Sequence, residues 1–440
     1  MSVTLDTAGT EGLVSRLGEP EQMIVRGALD WLLPEERGLE DLTQSTLQDF
    51  LWYHLPVKWL IPTREHHEVA WALADLLTAA GLDRYAGLCR WEDTHQLIET
   101  WQVDRPKAQR TLKRLGDSSG VEPLDTDLLQ WGDVFGIEEG VVRSAVSEAL
   151  EVAIDAGSLV PGASRWKVEA ARVSDATLRG GGDPGGSGTL LERLRAERAQ
   201  TWAGRARSRR AEFLEPVVPL LPREVGVPPD AAASLEPLLW LLRHVGDGVT
   251  MTQAGYLPKA LVVAANTAFG WFDLPGFSVR TEHDVPELAL LHELARGARL
   301  LTKRGRRLTV SASGRRSLGD PDLLWHKVIH YIFDDARFEG DGAGLYAACL
   351  LGSDEPQDRQ AVQTRVGDVV REKWQAGSGE SLGQYAGLRA TGDARLLGRV
   401  FGWSVEEGPP MAPRIRLTDT GREAAWLGLQ TQAWGPRNRP

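Results

Sequence analysis

The sequence predicts a mainly α-helical fold in which short β-hairpins close helical modules. Three observations carry that expectation. Apolar residues recur at helical spacing through most of the chain. Capping residues, Pro and Gly punctuate those stretches where helices would start and stop. Two strings alternate apolar and polar residues and end on a Gly-Arg step, "LTVSASGR" at 308–315 and "IRLTDTGR" at 415–422.

Length and composition bound the rest. A chain of 440 residues is long enough for two to four domains. Its 42% hydrophobic and 25% charged residues are those of a globular protein with a sizeable core. No run of about 18 apolar residues suggests a membrane span. The stretch "MSVTLDTAGTEGLVSR" lacks the basic-then-apolar order of a secretory leader. Cys89 and Cys349 are the whole cysteine complement, too few for a disulfide framework and without metal-ligand spacing. A reducing, cytoplasmic setting is expected.

Charge divides the chain. Residues 1–175 hold 30 acids and 16 bases, net −14; the remainder holds 31 acids and 34 bases, net +3. A polyanion would therefore be met by the second half and repelled at long range by the first.

Along the chain, residues 1–20 read as a loose tail and 21–175 as an acidic helical domain. In "TREHHEVAWALADLLTAAG", Thr63 is a candidate cap, Gly81 a stop, and Val69, Leu73, Leu76 and Leu77 a buried stripe. "FGIEEGVVRSAVSEALEVAIDAGSL" is a candidate helix-turn-helix, with "VPGASRWKVEA" as its hairpin. Residues 176–230 hold the Gly-rich "RGGGDPGGSGT" and the Arg-rich "AGRARSRRAEF". The glycines invite a phosphate-loop reading, but no Lys stands between Gly188 and Thr189 and no apolar strand leads in. A flexible linker is expected instead.

Residues 231–325 order their signals as helix, short strand, two helices and hairpin. "LEPLLWLLRHVGDG" puts Leu238, Leu239, Leu242 and Val245 on one face. "VTMT" is a short β-branched string. "PKALVVAANTAFGW" and "PELALLHELARG" are the next helices, and "RLLTK", Gly305 and "RRLTVS" make the hairpin. That order describes a winged helix-turn-helix. Residues 326–440 are expected to repeat it, with a longer wing in "RVFGWSVEEGPPMAPRIRL". Alternation sends Leu308, Val310, Ile415 and Leu417 to the core face.

"AGYLP", "RTEHDVPELALLHELAR" and "RLTVSASGRRSLGDPDLLW", spread over about 235–325, make the segment specific. It resembles a winged-helix segment of uncharacterised actinobacterial proteins and one that accompanies the plasmid Ri open-reading-frame-three-like family. The resemblance implies a fold and brings no catalytic residue or cofactor.

From Arg296 to Arg316 there are eight bases and no acid. In a winged helix that binds DNA, the wing meets the sugar-phosphate backbone and the third helix enters the major groove. Lys303, Arg304, Arg306, Arg307, Arg315 and Arg316 are therefore the candidate nucleic-acid-binding residues, and duplex DNA the candidate partner. Asp284, Glu287 and Glu293 oppose it, placing acid on the third helix. The alternatives are a solvated strand edge, which Lys and Arg protect from pairing, or a protein-interaction adaptor that docks another protein. The acidic N-terminal region is itself a candidate cover for the wing.

No catalytic constellation is expected, and so no enzyme and no cofactor. "HKVIH" spaces His326 and His330 four apart but has Lys327 where a zincin needs Glu. "EHHE" at 65–68 puts adjacent histidines on different faces. "FDDARFEGDGAG" lacks EF-hand spacing and reads as an interdomain loop with at most weak cation binding.

Overall fold

A computed structural model describes residues 6–33, 37–180, 188–204, 207–274, 278–376 and 382–437. They form a mainly α fold with two small three-stranded sheets. The chain divides into two compact units, Met1–Leu194 with Pro436–Pro440, and Arg195–Gly435.

The first unit is helical among its described residues. It runs through α1 (Thr7–Val14), α2 (Glu19–Leu32), α3 (Gln44–Asp49), α4 (Leu55–Lys58), α5 (Thr63–Ala79), α6 (Asp83–Arg90), α7 (Glu92–Val103) and α8 (Arg105–Ser119). Next come α9 (Ile137–Asp155), α10 (Trp166–Arg179) and the start of α11 (Leu190–Ala203). The stripe of α5 is buried as its spacing predicts, with Val69, Leu73, Leu76 and Leu77 at 1% exposure or less. Thr63 is the first helical residue and not the cap, and Gly81 ends the segment at φ 77°.

Three expectations are corrected in this unit. The first twenty residues hold a helix, α1, because Leu13 and Val14 reach the core and Asp6 caps it through the Gly9 N–H at 2.8 Å. The proposed helix-turn-helix is one continuous helix, α9, and "VPGASRWKVEA" is a turn leading into α10, with no strand. Gly140 lies inside α9 with open space where a Cβ would go. Finally, the boundary falls within α11 and not at 175, because Leu190, Leu191 and Leu194 complete the core of Val142, Val146 and Leu150. The linker expected at 179–188 lies mostly outside the described residues. It is flanked by helices α10 and α11, not by a leading strand.

Glu151 ties this unit together. Its buried carboxylate accepts the Gln44 N–H at the start of α3 (2.9 Å) and hydrogen bonds from Arg84 and Tyr85 on α6. On α5, His66 is buried and donates its Nε2–H to the Trp59 carbonyl (3.2 Å), while Nδ1 finds no partner. Burial holds its pKa below the usual value. The folded state therefore favours neutral imidazole, so the unfolded chain binds more protons below pH ~6.5 and stability falls as pH falls. Burial acts in the same sense on His54 and His95. Thermal melts of the wild type should lose stability between pH ~7 and ~5, and His66→Gln should flatten part of that loss. Parallel pH profiles would refute the assignment.

The second unit contains the rest of α11, then α12 (Arg209–Leu214), α13 (Ala231–Ser234) and α14 (Glu236–Val245). The first module continues with β1 (Val249–Thr250), α15 (Lys259–Phe269), α16 (Pro286–Gly297), β2 (Leu301–Arg304), β3 (Arg307–Val310) and α17 (Ala312–Leu318). After α18 (Pro321–Ile332), α19 (Phe338–Leu351), β4 (Gln357–Asp358), α20 (Arg359–Lys373), α21 (Ala386–Val400), β5 (Ser404–Glu407), β6 (Arg414–Leu417) and α22 (Asp419–Trp434) repeat the order.

The sheets correspond strand for strand, β1-β3-β2 and β4-β6-β5. Val249 pairs with Leu308 and Thr250 with Arg307; Gln357 pairs with Ile415 and Asp358 with Arg414. Leu308, Val310 and Ile415 are buried, whereas Leu417 is only half-buried against the core.

"FDDARFEGDGAG" is corrected too. From Phe338 onward it is α19, buried on every face from Gly340 to its end. Its glycines bring neighbours to contact: a Cβ on Gly342 would lie 2.2 Å from the Ala390 carbonyl, and one on Gly344 would lie 2.0 Å from Gln432 Oε1. Gly342→Ala should therefore destabilise by about 1–3 kcal/mol, despite a helix-propensity gain of about 1 kcal/mol. Gly392→Ala on α21, where nothing lies within 4 Å, should gain roughly 0.5–1 kcal/mol. Urea unfolding of both variants decides it, and equal signs would refute the packing argument.

Candidate functional site

The two Gly-Arg strings build the same backbone junction twice. Ser311 and Thr418 cap α17 and α22, accepting the N–H of Gly314 (2.9 Å) and Gly421 (3.1 Å). Each hydroxyl also donates backward, Ser311 to the Arg299 carbonyl (2.7 Å) and Thr418 to that of Gly402 (2.8 Å). A Cβ on Gly314 would meet the Leu300 carbonyl at 2.2 Å, and one on Gly421 the Trp403 carbonyl at 1.8 Å. Glycine is required at both.

The helix before each hairpin ends alike. Leu300 N–H bonds the Ala295 carbonyl and Trp403 N–H that of Gly398, around left-handed residues Arg299 (φ 57°) and Gly402 (φ 68°). Arg299 holds a conformation that glycine holds in the second copy. Left-handed backbone costs a non-glycine residue roughly 1–2 kcal/mol. Arg299→Gly should recover about 0.5–1 kcal/mol of it, net of the entropy a glycine adds to the unfolded chain. A loss of stability in a urea titration would refute the strain.

Gly305 (φ 59°) opens the two-residue turn between β2 and β3. The hairpin brings Lys303, Arg304, Arg306 and Arg307 together, and all are exposed, as are Arg315 and Arg316 on α17. Three of the six are anchored. Arg306 donates to the Met251 carbonyl (2.9 Å), Arg307 to that of Asp247 (2.9 Å) and Arg315 to that of Val310 (2.8 Å). Among the described residues none of the eight cations from 296 to 316 is in an ion pair. Arg304 stands directly across from Arg307, a like-charge pairing that disfavours the hairpin.

The second hairpin neutralises itself. Arg416 meets Glu407 (2.7 Å), Arg395 and Arg359 share Glu406 (2.8 and 3.6 Å), and Arg422 reaches Asp354 (3.0 Å). Among the described residues Arg414 of β6 is the hairpin's one arginine outside an ion pair, against four unpaired cations on the first hairpin.

Helix α16 buries six of its twelve residues and leaves Pro286, Glu293, Arg296 and Gly297 exposed. It packs on α14, α18 and α21, and Glu287 faces Arg399 of α21 at 3.8 Å. The acids before and on it serve the fold. Glu282 is buried, accepting the Leu257 N–H (2.7 Å) and bonding His292 Nδ1 (2.7 Å). Asp284 accepts the Arg280 and Thr281 N–H groups, which hold its pKa below the usual range. The sequence pattern gave no sign of Arg299's conformation, of the carbonyl anchors or of the covering of α16.

His326 and His330 are exposed on α18, and among the described residues no group of three or more His, Cys, Asp or Glu could hold a metal ion. Both cysteines are free and buried; burial pushes the Cys89 thiol up to about 12. No described helix is long and apolar enough to cross a membrane. No family model, curated protein or solved structure matches the chain.

Proposed function

We propose that this chain is a non-enzymatic cytoplasmic protein with two winged helices, whose first wing grips duplex DNA by its phosphates in a regulatory role. The observation that carries the reading is the set of exposed cations at 303–316 with no acidic partner, against a second wing that carries two acids, Glu406 and Glu407, beside its two arginines and pairs Arg416 with Glu407. An exposed strand edge explains some of that charge, but it does not explain Arg304 opposite Arg307 or a strained Arg299. Phosphates would relieve the repulsion between Arg304 and Arg307.

The burial of α16 restricts the mode. A helix covered by α18 and α21 does not enter a major groove, so binding is to backbone and indifferent to sequence. The same burial favours the second reading, an adaptor whose winged helices pack on protein.

A duplex-binding assay across a salt series separates the two. Affinity should fall steeply with salt, and each lost phosphate contact should lower the slope by about 1. Lys303→Ala and Arg304→Ala should weaken all sequences equally at a stability cost under about 0.5 kcal/mol. Arg306→Ala and Arg307→Ala should also cost about 0.5–1.5 kcal/mol each, because they free a carbonyl of its partner. Absence of salt-dependent duplex binding at low ionic strength would leave the adaptor.

A further inference from the structure

The first unit contains a cationic cleft that its acidity conceals. Helix α8 buries Ala108 and Leu115, with Leu112 packed beside them. The opposite side carries Arg110, Lys113 and Arg114 at spacings of three and four, which place them on one face. Trp166 and Lys167, from the first turn of α10, stand across an open cleft of about 470 Å³ from these three.

Two features set the cleft apart from a solvated helix face. The first is concentration: of the 16 bases among residues 1–175, seven lie at 105, 107, 110, 113, 114, 165 and 167. The second is pairing. Elsewhere in the unit Arg26, Arg64, Arg84, Arg90, Arg143, Arg172 and Arg193 meet carboxylates, and Arg16, Lys58 and Arg179, which do not among the described residues, stand singly in the sequence. None of the seven clustered bases is in an ion pair among the described residues. Asp117 lines the cleft, four residues from Lys113, and forms no ion pair with it. Where acids outnumber bases by 30 to 16, seven cations grouped and unpaired make a local positive field that attracts an anion.

We propose that this cleft binds a nucleic-acid strand. Arg110, Lys113, Arg114 and Lys167 hold successive phosphates, and the half-buried indole of Trp166 offers a base a stacking surface. Repeated cations along two elements fit a polymer of phosphates better than a single anion. The indole beside them fits a strand whose bases are turned outward rather than a closed duplex. The site is separate in residues from the first wing and does not rest on that reading.

The test uses the full chain carrying Lys303→Ala, Arg304→Ala, Arg306→Ala and Arg307→Ala, so that the wing contributes nothing. The probe is a labelled oligothymidylate of about 12 nucleotides, within the site sizes such grooves take, followed by anisotropy across a salt series. This protein should bind the strand. Adding Arg110→Ala, Lys113→Ala and Arg114→Ala should lower the salt slope by about 2, at about 0.7 for each contact on a single strand. Trp166→Leu should weaken binding about 10-fold while Trp166→Phe retains it, with circular dichroism confirming that both variants are folded. The proposal fails if the wing-neutral protein does not bind the strand, or if the triple variant keeps the full slope. It fails equally if inorganic phosphate at matched phosphate concentration displaces the strand, which would make the cleft a site for the free ion. A failed wing leaves duplex binding unaltered by the wing substitutions; a failed cleft leaves strand binding absent or unaltered by those on α8.

Discussion

The second unit depends on how closely its neighbours approach α19. Gly340, Gly342 and Gly344 face the Asp334 carbonyl, the Ala390 carbonyl and the Gln432 side chain, each where a Cβ would stand near 2 Å from the facing atom. Such proximity gives α19 little side-chain volume of its own on those faces, so dispersion comes from backbone and small side chains in contact. The same helix buries the Asp341 carboxylate. Arg210 (2.9 Å), Lys373 (3.4 Å) and Trp374 (2.8 Å) converge on it from α12 and the end of α20. A buried carboxylate is tolerable only with such partners, and Asp341 thereby dictates where those segments sit. Nearby Asp335 is held above the usual carboxylate pKa by burial, against the pull of Lys373.

That arrangement explains which parts of the fold the sequence revealed. α14, α16 and the hairpins were legible because each leaves one side in water, so apolar residues fall at a period. α19 was not, since a helix buried all round has no polar face to define one. Its glycines and acids imitated a loop; Gly was taken as a breaker when it serves close approach. α1 was missed because two buried apolar residues, Leu13 and Val14, are too few for a pattern. At α9 the string 135–159 that suggested a helix-turn-helix holds one long helix, in which Gly140 is accommodated. The division of the chain was misplaced for a related reason. Composition marked the glycines, whereas the core continued beyond them to Leu194.

The candidate site was half legible. The density of cations is written in the sequence, and so is the Ser/Thr-x-x-Gly-Arg junction. Whether each charge has a partner is not, because ion pairs join residues far apart: Arg422 meets Asp354, and Arg359 meets Glu406. The acids 284 and 287 counted against a DNA-reading helix when read as surface charge. In place, Asp284 closes a turn and Glu287 is buried toward Arg399. The objection stands on other grounds, since α16 packs on α14, α18 and α21 and its exposed side chains are Pro286, Glu293 and Arg296.

The two modules share a backbone plan down to single hydrogen bonds, which makes their differences informative. Where the second has Gly402, the first has Arg299 in the same left-handed conformation. Where the second sets Glu407 against Arg416 across the strands, the first sets Lys303 and Arg304 on β2 with no acid to answer them. Each difference costs the first module stability: backbone strain at Arg299, like-charge repulsion between Arg304 and Arg307. Neither cost is offset within the fold, because the charges gain no carboxylate by it. Three guanidinium groups instead fasten to carbonyls, which fixes their position and leaves their charge in place. Cations fixed in this way would lose little entropy on meeting an anion. The second module, which answers Arg416 with Glu407 and places glycine at 402, is the arrangement the same backbone adopts when stability alone is served.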